Sequence, residues 1–302
     1  MNPFLLLALI PFCADERPQA PWPPPEGPLR VVIDTDTWNE IDDQYALALA
    51  LGFPGRIKLE GIVAAHYGKK EHIDKSFAEA RRILTLAGKE GKIPLAKGVP
   101  PLVEGAPTPT SDGIDLILER AKAGTKENPL WLVLLGPVTD AVAAFERDPS
   151  IADRVIVFWH SRSHWPVECK NFNARNDPLA TRRLFDLRCA LVLFDTGAQL
   201  RIPMEETERR FAPLGPLGAH LHEVRKRNPN FTSPTKGVFD LGDIAALIDP
   251  SCAPWEKTAA PGVGEDLNYD FTKSRGDVLR IKDVGRDRCF DLLEEALRRL
   301  KP

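Results

Sequence analysis

Short apolar runs alternate with longer amphipathic runs from Leu29 to the end of the chain, and this alternation restricts the fold more than any other feature of the sequence. Apolar runs of strand length predict strands at Leu29–Ile33, Leu59–Ala64, Leu130–Leu135, Val155–Trp159 and Ala190–Phe194. Apolar residues at helical spacing predict helices at Gln44–Leu51, Ile73–Ala87, Ile114–Ala123, Val138–Phe145 and Pro178–Leu187. This order is typical of the α/β class, and we expect a single domain whose mostly parallel, Rossmann-like sheet carries helices on both faces.

The last predicted helix extends the core to the end of the chain. Its apolar residues fall on one side: Cys289, Leu292, Leu293, Leu297 and Leu300. Of the 302 residues, 43% are hydrophobic and 27% charged, so the chain can bury a full core, and disordered or collagen-like proteins are excluded. With 40 Lys and Arg against 43 Asp and Glu, the net charge of −3 provides no basic field, and no nucleic acid partner is expected.

Proline is concentrated at the N-terminus, where eight of the 28 prolines fall within the first 30 residues. The apolar run Phe4–Phe12 is shorter than the roughly 20 residues that span a bilayer, so no membrane span is predicted and residues 1–14 are predicted to be a signal peptide. Such a signal would export the protein to the periplasm or the medium, whereas an unprocessed tail would leave it cytoplasmic. Residues 15–28 are interpreted as a Pro-rich linker and residues 29–302 as the folded domain.

The cysteines do not predict a zinc site. Cys13 belongs to the predicted signal, and Cys169, Cys189, Cys252 and Cys289 have neither CxxC spacing nor a clustered histidine. Four cysteines could pair in an oxidising compartment, but Cys189 lies in an apolar run and is expected in the core.

An acidic loop follows the first predicted strand. Residues 34–43 (DTDTWNEIDD) contain five carboxylates and no base: Asp34, Asp36, Glu40, Asp42 and Asp43. In open α/β sheets, ligands bind where strands end and helices begin, which is the position of this loop. Carboxylates this close repel one another unless their pKa values rise or a cation binds, and Ca²⁺ takes 6–8 oxygen ligands. The alternative is that Asp42 and Asp43 only cap the next helix while the other carboxylates are solvated.

The segment VVIDTDTWNEIDDQYALALAL, residues 31–51, resembles a known family signature. The calcium-dependent inosine/uridine-preferring nucleoside hydrolases have a first strand that ends in Asp-x-Asp, followed by Asp-Asp and a helix rich in Ala and Leu; here the two pairs stand two residues further apart. Further blocks are similar and in the same order: Glu60–His66 with Ile93–Gly98, Leu132–Phe145, Asn171–Thr181 and Phe239–Pro250. The resemblance covers most of residues 29–300 and implies a hydrolase of the N-glycosidic bond of ribonucleosides or a related ribosyl compound.

The resemblance implies a calcium site made of Asp36, Asp43, Asp240 and the backbone carbonyl of Leu135. Asp36 would also be the catalytic base that takes a proton from the calcium-held water, which attacks the anomeric carbon. Local interpretations exist beside these roles, because Leu135 can be plain strand core and Asp240 a helix N-cap. We interpret the neighbouring Asp243 as a charge in the first turn of that helix.

The resemblance also implies a small ribosyl substrate, bound by Asp42, Asn171 and Asn173. Asp42 and Asn173 would hold the ribose hydroxyls, and this selects ribose over a deoxy sugar. Since family members often form dimers or tetramers, a homo-oligomer is compatible with the resemblance.

Four positions depart from the family pattern. Phe158-Trp159-His160-Ser161 stands where Met-Gly-Gly is usual, Asn171 replaces an acidic residue that contacts the 5′ end of the sugar, and Gly68-Lys69 replaces Gly-Asn. Phe239 replaces the histidine that in some members protonates the leaving base. Another donor or a stacking aromatic is therefore expected, with these candidates: His66, His160, His164, Trp38, Tyr67 and Trp165.

Two other functions remain open from the sequence. A metal-binding but inactive relative would keep the ribosyl ligand without turnover. The Asp34-Thr35-Asp36 sequence after a buried strand also resembles haloacid-dehalogenase-type phosphatases, in which the first Asp is the nucleophile. That interpretation leaves Asp240 and the Asp42-Asp43 pair unused.

Overall fold

The computed structural model describes residues 17–227 and 233–301. Its strands are β1 (Leu29–Thr35), β2 (Ile57–Ala64), β3 (Leu95–Lys97), β4 (Leu130–Leu134), β5 (Val155–His160), β6 (Ala190–Phe194), β7 (Arg201–Pro203), β8 (Thr235–Gly237), β9 (Trp255–Ala259), β10 (Gly262–Val263), β11 (Tyr269–Asp270) and β12 (Asp277–Ile281). Its helices are α1 (Asp42–Gly52), α2 (His72–Leu86), α3 (Asp112–Lys122), α4 (Thr139–Arg147), α5 (Phe172–Asn176), α6 (Pro178–Asp186), α7 (Met204–Arg210), α8 (Gly215–Arg227), α9 (Leu241–Ile248) and α10 (Arg286–Leu300).

Eight strands form the central sheet, in the order β3-β2-β1-β4-β5-β6-β12-β9. Neighbouring strands run parallel except at the β9 edge, which is antiparallel to β12. Since β1 lies between β2 and β4, the strand order reverses there, and the carboxyl ends of β1 and β4 open onto the crevice where doubly wound folds bind ligands. The acidic loop leaves β1 at this point.

Helices cover both faces of the sheet. Val31 and Ile33 face a core shared with α1, α2, α8, α9 and α10, whereas Val32 faces α3, α4 and α6. Helix α1 is buried on all sides. Gly52 lets α1 approach α10 closely, because a Cβ at this position would lie 2.3 Å from the Cβ of Ala296. The predicted single α/β domain with a mostly parallel sheet is confirmed.

Each strand and helix predicted from the sequence is present, with ends shifted by at most two residues. The sequence did not predict the strands β3 and β7–β12 or the helices α5, α7 and α8, and for α9 it indicated only a start, with Asp240 as a possible N-cap and Asp243 in the first turn. Five of these strands have two or three residues and are too short to show a period of two, whereas β9 and β12 have five residues each and were missed.

The predicted signal peptide, residues 1–14, lies outside the described residues. The predicted linker is described from Arg17 and is attached to the domain. The buried Arg17 guanidinium donates hydrogen bonds to the carbonyls of Phe185 at 2.7 Å and Cys189 at 3.0 Å. Trp22 packs on Trp131, at 6.4 Å between ring centroids. Within the described residues, no helix has the length and hydropathy needed to cross a membrane.

Candidate active site

A cavity of about 330 Å³ opens at the carboxyl ends of β1, β4 and β5. It is lined by Asp36, Asn39, Glu40, Asp42, Asp43, Leu135, His160, Arg162, Asn171, Phe172, Asn173, Lys236, Gly237, Phe239 and Asp240. All seven site residues expected from the sequence are in this set. Asp34 is not, although it belongs to the same acidic loop; it is fully buried and lies beside Asp140.

Three carboxylates meet between the starts of two helices. Asp42 and Asp43 stand in the first turn of α1, and Asp240 holds the N-cap position of α9. One oxygen from each lies within 4.8 Å of the others. The N-cap residue of α1 is Ile41, which has no polar side chain, and Asp240 makes no capping hydrogen bond at the start of α9. The three carboxylates are available for a ligand in the cavity.

Asp36 enters the same cavity from the end of β1. It is only 2% exposed, and its Oδ2 has no hydrogen-bond partner within the described residues. The backbone of Gly136 lies against it, because a Cβ on Gly136 would come within 3.1 Å of the Asp36 Oδ1. The group of three close carboxylates contains Asp42 where the sequence led us to expect Asp36 beside Asp43 and Asp240.

Burial and mutual repulsion raise the pKa values of these carboxyl groups. Burial is the larger cause for Asp36, Asp43 and Asp240, and neighbouring carboxylates add to it. The pKa of Asp43 rises to about 7. Such a group is stable at neutral pH only when protons or a cation offset the charge. The possible ligand atoms of this carboxylate group are all oxygens, and the buried Oδ2 of Asp36 has no hydrogen-bond partner within the described residues. The residues therefore fit a hard divalent cation.

Asn173 positions the backbone on the opposite side of the cavity. Its Nδ2 donates to the carbonyl of Leu135 at 2.8 Å and to that of His160 at 3.3 Å. A carbonyl oxygen has two lone pairs, so the Leu135 carbonyl can accept this bond and still bind a cation. The same geometry leaves Oδ1 as the Asn173 atom able to accept a hydrogen bond from a sugar hydroxyl.

His160 links the end of β5 to α9. Its Nδ1 lies 2.6 Å from Asp243 Oδ2 and 3.3 Å from Asp240 Oδ1. Burial lowers the pKa of His160 to about 3, so the ring is neutral, and its Nδ1 shares a hydrogen bond with the Asp243 carboxyl group. Asp243 is fully buried. It is therefore more than a charge in the first helical turn, because it orients a residue that lines the cavity.

Comparison with known families shows which family the chain belongs to. Residues 31–278 match the family model described as inosine-uridine preferring nucleoside hydrolase. The chain belongs to this family. As a nucleoside hydrolase it is an N-glycosyl hydrolase of a metal-dependent family, and the comparisons give no support to the phosphatase or the inactive relative. No curated protein matches the chain.

Solved nucleoside hydrolases share the fold at low sequence identity. The plant nucleoside hydrolase PpNRh1 is 22% identical, with 90% of this chain and 99% of that chain covered and a TM-score of 0.70. The purine-preferring ribonucleoside hydrolase from Gardnerella vaginalis is 19% identical, with 90% and 98% covered and a TM-score of 0.72. The inosine-uridine preferring nucleoside hydrolase from Bacillus anthracis is 16% identical, with 90% and 99% covered and a TM-score of 0.66.

Asn171 is already engaged within this nucleoside hydrolase. Its Oδ1 accepts from the amide of Ala174 at 2.9 Å and so caps α5, and its Nδ2 donates to the carbonyls of Ser161 and Cys169. The side chain lines the cavity, but these bonds occupy both of its polar atoms. Its part in substrate binding stays a prediction.

The stacking aromatics expected from the sequence do not line the cavity. Tyr67 stacks on His72 at 3.6 Å, and Trp165 packs against Tyr269. Trp38 is 36% exposed and also absent from the lining. Phe172 and Phe239 line the cavity in their place.

Of the three candidate histidines, only His160 lines the cavity. His66 is fully buried, accepts from the amide of Gly68 at its Nδ1 and pairs through Nε2 with Thr139 at 2.8 Å. His164 is exposed. Arg162 was not selected from the sequence, although a cation three residues beyond the end of the predicted strand Val155–Trp159 was a usable signal.

Proposed function

We propose that this nucleoside hydrolase is calcium-dependent and cleaves ribonucleosides, with Asp36 as the base that takes a proton from the attacking water. One observation carries the proposal: seven residues implied by the resemblance, spread from position 36 to position 240, line one cavity. The family match supports the reaction, and the donor set, made of oxygens alone, supports calcium.

The ribose hydroxyls would be held by Asp42 and Asn173. The buried Asp42 carboxylate accepts one hydrogen bond from the amide of Phe239, at 3.3 Å, and has lone pairs left for sugar hydroxyls. Asn173 offers its Oδ1, since its Nδ2 is committed to two carbonyls. These contacts fix the anomeric carbon relative to Asp36.

The carboxylates favour the charge that bond cleavage creates. Breaking an N-glycosidic bond leaves positive charge on the ribose ring, and the buried carboxylates stabilise that charge more in the transition state than in the ground state. Asp36 accepts the water proton, and its unpaired Oδ2 is the available atom. Calcium bound by Asp36, Asp43, Asp240 and the Leu135 carbonyl would acidify a water and offset part of the negative charge.

A panel of purine and pyrimidine ribonucleosides tests the proposal, with free ribose as the readout. We expect wild-type turnover in calcium, loss in EDTA and recovery with calcium to a greater extent than with magnesium. Asp36→Asn should lower kcat on the order of 10³-fold or more, because the base is lost. Asp287→Asn, at a carboxylate 89% exposed on α10, is the matched control and should leave kcat unchanged.

Three outcomes would contradict the proposal. Undiminished turnover by Asp36→Asn would remove Asp36 from the role of base. Full activity in EDTA would show that catalysis does not require a metal ion. Retained calcium and ribose binding with no turnover of any nucleoside would identify an inactive relative.

A further inference from the structure

The cavity holds positive as well as negative charge. Carboxylates dominate its lining, but Arg162 and Lys236 also line it. Lys236 forms an ion pair with Glu40 of the acidic loop. Arg162 makes no hydrogen bond or ion pair through its guanidinium within residues 17–227 and 233–301, although the Asp42 and Asp240 carboxylates lie near enough to attract its charge.

The backbone holds Arg162 firmly at the end of β5. The amides of Ser161 and Arg162 both donate to the carbonyl of Phe194, each at 3.0 Å. Arg162 has a φ of 35°, in the left-handed region that few residues other than glycine adopt. This backbone conformation sets the direction of the Cα–Cβ bond of Arg162 at the strand end.

Stacking holds the guanidinium in place without using its N–H donors. Its Cζ lies 3.7 Å from the centroid of the Phe239 ring. The ring itself is confined by Gly237, where a Cβ would come within 2.0 Å of it. Arginine stacked on an aromatic ring keeps its in-plane N–H groups free for a planar acceptor. A half-buried guanidinium with open donors therefore faces the cavity.

Cleavage of the N-glycosidic bond separates charge, and each of the two fragments is stabilised by protein groups of the opposite charge. The carboxylates complement the positive ribose. The departing heterocycle takes the electron pair of the broken bond and becomes negative, and the carboxylates would repel it. Arg162 is the cavity cation whose donors are open to that charge.

We propose that Arg162 is a catalytic residue that binds the leaving base and stabilises it as an anion, an inference that rests on the proposed function. The bond between the anomeric carbon and the base nitrogen breaks with its electron pair on nitrogen, and the water oxygen bonds to the carbon. The water proton goes to Asp36. Guanidinium does not give up a proton at neutral pH, so the base leaves as a hydrogen-bonded anion and takes a proton from solvent after release.

Two substrates that differ in their leaving groups test this role. Inosine requires stabilisation of a poor leaving group, whereas p-nitrophenyl β-D-ribofuranoside releases a phenolate that is stable by itself. We expect Arg162→Met to lower kcat/KM for inosine on the order of 10²-fold or more, as loss of one charge-stabilising donor does, and to change that of the p-nitrophenyl riboside by less than about threefold. Arg201→Met is the matched control, since the exposed Arg201 also lies over the Phe239 ring, at 5.9 Å, but does not line the cavity.

The outcomes separate this inference from the proposed function. Wild-type protein that cleaves neither substrate overturns both. Wild-type turnover of both substrates, with an equal loss for both in Arg162→Met, overturns only the role of Arg162 at the leaving group. A wild-type preference for inosine 5′-monophosphate over inosine that vanishes in Arg162→Met would also overturn it, because the guanidinium would then bind a phosphate.

Discussion

Asp36 is positioned by a neighbour that has no side chain. Gly136 follows Leu135 at the end of β4, and its backbone lies against the Asp36 carboxylate. A methyl group at position 136 would approach Asp36 Oδ1 at 3.1 Å, which is tighter than ordinary van der Waals contact. Asp36 must then shift by a few tenths of an ångström.

We predict that Gly136→Ala lowers kcat by roughly tenfold, because small displacements of a catalytic group reduce the rate. The fold should persist, since the φ of Gly136 does not require glycine. Steady-state kinetics with a thermal melt checks both parts. Gly55→Ala is the matched control, because a Cβ there meets no atom within 4 Å. Unchanged kcat in Gly136→Ala would show that the carboxylate has room to move.

His66 gives the protein a pH-dependent stability. Burial lowers its pKa from 6.5 to about 4. Between these values the unfolded chain binds more protons than the folded protein, so this histidine makes the free energy of unfolding fall as the pH decreases from 6.5 to 4. The full effect is about 3 kcal/mol.

We predict that His66→Asn destabilises the protein most at pH 7 and progressively less towards pH 4.5. At pH 7 the variant has a lower free energy of unfolding because it lacks the hydrogen bonds to Gly68 and Thr139. In acid the free energy of unfolding of the wild type falls as well, so the difference between the two proteins becomes smaller. Urea unfolding of both proteins at several pH values measures the difference. His164→Asn, at an exposed histidine, should give no such trend. A constant difference across pH would mean that His66 is not neutral in the folded protein.

Single residues would also determine whether the enzyme discriminates ribose from 2′-deoxyribose. Asp42 and Asn173 would lose hydroxyl partners when the substrate lacks the 2′-hydroxyl, and unpaired buried polar groups are costly. We predict that 2′-deoxyinosine has a kcat/KM lower than that of inosine on the order of 10³-fold or more. Competition kinetics gives the ratio directly. Comparable values for the two sugars would exclude these residues as hydroxyl ligands.

Among the elements, the N-terminal segment contributes to stability without belonging to the sheet. Trp22 packs on Trp131 and Phe158, with centroid distances of 6.4 and 6.0 Å. We predict that Trp22→Ala lowers the free energy of unfolding by roughly 2 kcal/mol, because the partly buried ring leaves a gap at the sheet. Chemical denaturation measures the change. Trp255→Ala, at a ring 42% exposed, should cost less than half as much, and equal losses for the two variants would contradict the prediction that Trp22 packs more extensively.

The elements that carry the site differ in how far their sequence predicts them. The end of β1 and the start of α1 were predictable, because an apolar run passes directly into DTDTWNEIDD. Asp240 was expected in the site from the resemblance, and its local interpretation as a helix N-cap agrees with its position at the start of α9. The role of Asp243 was missed, because its partner His160 lies 83 residues away along the chain and only the folded sheet brings them together.

At the scale of the whole molecule, the sequence predicts the parallel sheet and its covering helices, but only some of the residues that line the cavity. Alternating apolar runs predict a parallel sheet, and a parallel sheet brings its strand ends to one edge, but only the family resemblance implied that Asp36 and Leu135 share a site. Arg162, Phe172 and Phe239 were not expected to line the cavity together. Their placement depends on loop geometry after β5 and before α9, and such loops carry no periodic pattern.

The central claim is that one cavity binds calcium and ribose together, and a crystal structure with both added tests it most directly. We predict a single ion in the cavity, with oxygen atoms of Asp36, Asp43, Asp240 and the Leu135 carbonyl at roughly 2.3–2.6 Å from it, and ribose hydroxyls on Asp42 and Asn173. An empty cavity at millimolar calcium, or an ion bound elsewhere with ribose outside the cavity, would contradict the claim.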